Sequence, residues 1–363
     1  MAKRKSAETK ASNGEDATEP FDALHPRLSD ALFGHSAAEE TFLRAYKAGA
    51  LHHAWLLTGE QGIGKATFAY RAARFLLSRP DTEKGGTDRA SALSVPASYP
   101  AARQIAARAH PSLFVLGGFG TISGSSASIG VEAVRKLRAF LSLTSPGGWR
   151  AMIVDPANDL TISSANALLK AVEEPPPRTV IFLISHGAAA VMPTIRSRCV
   201  KLTLRPLDRS DFGRAVATAC ATGDIATPDD ATLAKLFAAS SGSPGRALNL
   251  LEGGLLTIAD KIGKLIAGLP RMDYMLVHEL IQSASGARNA ENFARLCDLI
   301  EEKIEERARA EALINAPSKG GGAAWAGLWH RLRERRLEME ALNLDKGAFL
   351  MTAFSDMEHV ARQ

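Results

Sequence analysis

The run Gly59-Glu60-Gln61-Gly62-Ile63-Gly64-Lys65 completes the pattern G-x-x-x-x-G-K, and that spacing of residue types suits one task, the cradling of a polyphosphate. Gly59, Gly62 and Gly64 let the backbone wrap an anion with its N–H groups turned inward, and the N-terminus of a following helix adds positive potential. Lys65 would reach the β- and γ-phosphates of a nucleotide. One position departs from the pattern. Ala66 stands where a Ser or Thr hydroxyl would hold Mg²⁺, and Thr67 comes one residue late, turned about 100° around a helix. The loop reads as a place for ATP or ADP, with metal-assisted hydrolysis in doubt.

A second chemical position follows downstream. Ala151-Met152-Ile153-Val154-Asp155 is an apolar run closed by an acid, and an Asp at the end of such a strand can hold Mg²⁺ beside a phosphate loop. The plain alternative is an Asp that ends a strand and caps a turn; its pairing with Lys65 favours the chemical reading. The neighbouring position that would carry a Glu to polarise water is Pro156, which has no base, and Asp159 should lie past the strand end. Farther on, Ser243-Pro244-Gly245-Arg246 opens a helix. An arginine there opposes the helix dipole, so Arg246 either has an anionic partner or is simply solvated.

These groups need elements to hold them. Ala54–Thr58, before the loop, suits a buried strand, and Ala69, Ala72, Ala73 and Leu76 recur after it at helical spacing. Leu113–Leu116, Val180–Ser185 and Val200–Leu204 are further strands. Helices lie between them at 131–141 and 162–174, the latter stopped by Pro175-Pro176-Pro177. Strands alternating with helices specify an α/β domain with a parallel sheet. Ser36 with Glu39 suggests a capping box at an earlier helix. His52 and His53 precede the first strand, and adjacent histidines in extended chain would face opposite sides, against a joint metal site.

Beyond Arg205 the pattern turns helical to the end. Phe293, Leu296, Cys297, Ile300 and Ile304 line one face of a long helix whose Glu301–Glu306 segment reads as solvated. Trp325 and Trp329 read as core or interface anchors, and the Arg331–Arg336 run as a solvated face. The boundaries drawn are a disordered tail at 1–22 and domains at 23–204, 205–252 and 253–363.

Composition narrows the class. The chain has 363 residues and a net charge of +5, which permits contact with nucleic acid without demanding it. Its 3 cysteines are scattered without metal-ligand spacing, against a disulfide framework and in keeping with a cytoplasmic location. No apolar run is long enough for a membrane span.

Three stretches together carry a resemblance: the loop Gly59–Lys65, the helix from Ala165 through Glu173-Glu174-Pro175-Pro176, and Thr194-Ile195-Arg196-Ser197-Arg198-Cys199. In this order they resemble the AAA+ clamp loader subunits of bacterial DNA polymerase III, most closely the delta-prime branch. The resemblance implies an AAA+ P-loop domain, a small helical lid domain and a C-terminal all-helical collar domain. It makes Arg198, in Ser-Arg-Cys, an arginine finger acting in trans on the next subunit's nucleotide, in preference to Arg196. It puts Arg246 in the sensor-2 region near a phosphate and His186 in the sensor-1 neighbourhood. The implied partners are the motor (tau/gamma) and delta subunits, the sliding clamp and primed DNA. Related subunits often hold zinc on four cysteines between the first helix and the next strand; residues 78–110 contain none, so zinc is not expected. A motor subunit that itself hydrolyses ATP and an unrelated P-loop nucleotide kinase are the competing readings, and Ala66 and Pro156 count against the first.

Overall fold

The computed structural model describes residues 24–79, 92–117, 131–142, 148–186, 191–251, 255–284, 290–314 and 321–362. The expected tail at 1–22 lies outside them.

In chain order the first elements are α1 (Ser36–Lys47), β1 (Ala54–Thr58), α2 (Lys65–Leu77), α3 (Pro100–Ala106), β2 (Leu113–Gly117) and α4 (Val131–Ser142). Then come β3 (Arg150–Asp155), α5 (Ile162–Glu173), β4 (Thr179–Ser185), α6 (Pro193–Arg196) and β5 (Val200–Thr203). The five strands form one parallel sheet in the order β2-β3-β4-β1-β5. The central strands β1 and β4 are buried along their whole length, as a continuous apolar run requires when both faces are covered. Successive side chains alternate between two cores. Trp55, Leu57, Ile153, Phe182 and Ile184 face α1 and α2, whereas Leu56, Met152, Val154, Ile181 and Leu183 face α4 and α5. In the first core Phe42, Trp55, Phe68 and Phe182 form an aromatic cluster, with ring centroids of Phe42 and Trp55 5.2 Å apart.

Helix α2 lies close on the sheet because Ala69, Ala72 and Ala73 keep its inner face shallow. Its buried arginines secure the segment before α1. Arg74 donates to the Arg27 carbonyl at 2.7 Å and pairs with Asp30 at 3.1 Å. Arg71 pairs with Glu39 at 2.8 Å. That pair overturns the expected capping box. The N-cap of α1 is His35, without a side-chain cap bond, and Glu39 is drawn to a buried guanidinium instead. His52 and His53 precede β1 as expected, but they do not face opposite sides: their rings stack with centroids 4.3 Å apart.

After the sheet come α7 (Arg209–Thr222), α8 (Asp230–Ser240) and α9 (Pro244–Leu251), then α10 (Leu255–Gly268), α11 (Tyr274–Ala284), α12 (Ala290–Ile314), α13 (Gly321–Leu342) and α14 (Lys346–Arg362). Asp208 and Asp229 cap α7 and α8 by accepting from backbone amides, each supplying one of the donors left over at a helix start with a partner. One core gathers Phe212, Val216, Leu236, Ala247 and Leu250; another gathers Ile262, Leu296, Trp325 and Phe354. The face of α12 from Phe293 to Ile304 is buried as its spacing predicts.

Two expectations for this part fail. Arg336 is not on a solvated face: it is buried, 2.6 Å from Asp298 and 2.9 Å from Glu301. Glu301 is therefore not solvated either, and Glu302 and Glu306 are engaged with Arg246. Residues far apart in the chain supply these partners, which a helix read by itself does not reveal.

Candidate functional site

The loop of Gly59–Lys65 leaves the end of β1, between the ends of β4 and β5. Parallel sheets collect ligands at this carboxyl edge, where loops from adjacent strands converge. Gly59, Gly62 and Gly64 have φ of 145°, 77° and 104°, a region in which a side chain is strained. At Gly62 space is also short, because a Cβ would lie 2.6 Å from Ser243 Oγ and 2.8 Å from the Arg246 amide. The start of α9 is thus seated on the loop. The Gly245 amide donates to the Gly62 carbonyl at 2.9 Å, and Ser243 Oγ donates to the Gln61 carbonyl at 2.8 Å. From the other side His35 Nε2 meets the Ile63 carbonyl at 2.7 Å.

Lys65 opens α2 and is buried, with 4% of its surface exposed. Its Nζ donates to the Gly59 carbonyl at 2.8 Å and to the Glu60 carbonyl. Burial lowers its pKa to about 8, against the raising effect of Asp155 and Glu60. Asp155 ends β3, and burial raises its pKa to about 6 while Lys65 pulls it down. The two groups therefore sense one another across the strand ends. His186, just past β4, is pushed down to about 4 by burial and by the nearby Lys65 charge. His186 Nδ1 and Asn158 Oδ1 are buried without a hydrogen-bond partner.

Arg246 sits in the first turn of α9, and its anionic partners are carboxylates of the same chain. It pairs with Glu60 at 3.4 Å, with Glu306 at 2.8 Å and with Glu302. Glu60 belongs to the loop itself, and the two other acids lie on α12. Arg198 lies elsewhere, just beyond α6. It is exposed, donates to the Thr194 carbonyl at 2.8 Å and pairs with Glu173 at 2.9 Å.

The structure thus brings Gly59, Gly62, Gly64, Lys65, Asp155 and His186 to one edge of the sheet with Arg246 above the loop, and keeps Arg198 apart. Thr67 is half-buried on α2, and the half-buried Ala66 packs against the core. The donor set suits a polyphosphate: a buried ammonium, a guanidinium and a glycine loop at a helix N-terminus. It suits a divalent ion less well, since Asp155 is the carboxylate at hand and Ala66 offers no oxygen. Among the described residues no group of three or more His, Cys, Asp or Glu side chains could hold a metal. No described helix is long and apolar enough to cross a membrane. The sequence reading missed Glu60, Glu302 and Glu306. The signal was there: two acids four apart on one helix face repel unless a cation lies between them.

A five-stranded parallel sheet in this order, with the phosphate loop after β1 and an acid ending β3, defines an AAA+ type P-loop domain. Residues 34–208 match the family described as DNA polymerase III, delta subunit. The chain is 35% identical to the DNA polymerase III subunit delta' of Pseudomonas aeruginosa over 56% of its own length and 57% of that protein's. It is 32% identical to the Escherichia coli subunit delta' over 59% of each chain. A gamma/tau subunit from Mycobacterium tuberculosis is 30% identical over 66% of this chain and 39% of the relative. Residues 34–208 are thus similar to the delta-prime clamp loader subunits of DNA polymerase III. The chain spans less than two thirds of the length of the relatives it matches. Solved structures superpose loosely, as with a Thermotoga maritima gamma subunit-related protein (TM-score 0.38, 16% identity, 89% of this chain and 99% of that one). The fold assignment rests on strand order and loop position instead.

Proposed function

We propose that this chain works as a delta-prime subunit in a cytoplasmic ring with motor (tau/gamma) and delta subunits, which opens the sliding clamp and places it on primed DNA. In this reading residues 23–204 are the AAA+ domain, 205–252 the lid and 253–363 the collar that joins the ring. The chain binds ATP or ADP at Lys65 and does not turn it over. It supplies Arg198 as a finger to the neighbouring motor site.

The observation that supports this reading most is the contrast between what the chain lacks and what it presents. Ala66 and Pro156 occupy the positions where an active ATPase has a metal-binding hydroxyl and a water-polarising acid. Arg198 is exposed and held by one half-exposed carboxylate, Glu173, which a phosphate could replace. An arginine that leaves such a partner for a γ-phosphate stabilises charge developing in the transition state.

The electrostatic influence of Lys65 and Asp155 on one another and the similarity to gamma/tau subunits favour a second reading, that the chain is itself a motor. ATP turnover by the isolated chain separates the two. The proposal expects none above background. Turnover of roughly 1 per second or faster, lost in Lys65→Ala, would make the chain a motor.

A further inference from the structure

The three carboxylates around Arg246 come from two distant parts of the chain, and that arrangement has a consequence for the loop. Glu60 lies in the phosphate loop, Glu302 and Glu306 lie on α12, and Arg246 joins them from the first turn of α9. Its side chain is 14% exposed, so these acids take up most of its donor capacity. Arg309, one turn along α12 from Glu305 and Glu306, reaches toward Glu60 at 3.9 Å. Lys303 donates to Glu306 at 2.7 Å and keeps it in place. Burial disfavours the charge on Glu306, but the hydrogen bonds from Lys303 and Arg246 outweigh it and hold its pKa below the usual range.

The loop's own cation is occupied as well. Lys65 donates to the Gly59 and Glu60 carbonyls. Both cations that could meet a polyphosphate at this loop are therefore bound to oxygen atoms of the chain itself. A phosphate that recruits Arg246 must displace Glu302 and Glu306, because a carboxylate and a phosphate use the same fork of N–H donors.

We propose that Glu302 and Glu306 form an internal latch, an anionic contact that competes with nucleotide phosphate for Arg246, so that docking of α12 on the loop and nucleotide binding exclude one another. This rests on the nucleotide reading of the Lys65 loop. The latch makes the position of the C-terminal helices depend on that loop. Bound nucleotide releases α12 from α9, and undocking of α12 opens the loop to nucleotide; the coupling is the same in both directions.

The test is an equilibrium titration of the full chain with ATP carrying a fluorescent N-methylanthraniloyl group. Wild type, Glu302→Gln with Glu306→Gln, and Lys65→Ala are compared, each first checked by its thermal unfolding curve. Where a variant unfolds early, the single change Glu302→Gln replaces the pair. Freed from competition, the paired variant should bind about tenfold more tightly, within the usual span of such couplings. Hydrogen exchange at residues 59–64 and 244–251 should also quicken in that variant without nucleotide, because the loop and α9 lose their support. Equal, measurable affinity in wild type and paired variant, with binding lost in Lys65→Ala, overturns the latch and leaves the nucleotide site standing. Binding in none of the three overturns the nucleotide reading, and the latch as a competitor falls with it.

Discussion

Lys65 and Arg336 are both buried cations, and their surroundings treat them in opposite ways. Around Arg336 the helices α12 and α13 place Asp298 at 2.6 Å, Glu301 at 2.9 Å and Glu340 at 3.2 Å. Burial works against its charge, but these carboxylates prevail and hold its pKa above the usual arginine value. Lys65 has two loop carbonyls and the field of Asp155, and burial wins, leaving it at about 8. A cation that only joins two helices is saturated with counter-charge. Lys65 is left short of it, and an incoming anion would supply what is missing.

This contrast can be broken at several points. Arg336→Ala should cost about 3–5 kcal/mol of folding stability, because it strands the buried Asp298 and Glu301 charges. Lys65→Met, read in the same urea titrations, should leave stability within about 1 kcal/mol of wild type and abolish nucleotide binding. A large loss from Lys65→Met would show that the lysine holds the loop together as Arg336 holds its helices.

A smaller effect concerns pH. The ammonium form of Lys65 is the one that binds phosphate, and its pKa in the free protein is about 8. Above that value the protein must take up a proton to bind. Nucleotide affinity, measured by titration at a series of pH values, should therefore fall with rising pH by up to about tenfold per unit. Arg336 undergoes no such change, so stability should show no transition traceable to it in the same range.

The smallest effect tests how evenly the Arg336 cage is shared. Glu340 lies four residues along the same helix and is 42% exposed. Glu340→Gln should cost no more than about 0.5 kcal/mol in urea denaturation. A loss as great as that of Arg336→Ala would mean that the outermost acid, rather than the two across the helix pair, carries the contact.

How far the sequence could be read follows from the same contrast. The sheet was legible because each strand signals itself locally: Ala54–Thr58 and Val180–Ser185 are apolar throughout, and glycine spacing alone marks the loop. That Lys65 and Asp155 lie at the same edge of the sheet was also legible, since parallel strands all end on one side. What stayed hidden were charges whose partners are remote in sequence. Glu302 and Glu306 read as solvent-facing because Arg246 lies some sixty residues away, and Arg336 read the same way for want of Asp298. Glu39 suited a capping box at Ser36 and instead found Arg71, on a helix that a local motif does not see. Charge in a helix reports its partner only when that partner lies within a turn.

The central claim is that the chain lends its reactive cation to another subunit rather than using it, and Arg198 is where that can be measured. The measurement is ATP hydrolysis by rings reconstituted with motor and delta subunits, sliding clamp and primed DNA, with wild type compared against Arg198→Ala. The account predicts that rings assemble in both cases and that hydrolysis at the adjoining motor site falls by about 10³ or more in the variant. Unchanged hydrolysis with Arg198→Ala, together with its loss in Lys65→Ala, would contradict the account and make this chain a motor in its own right.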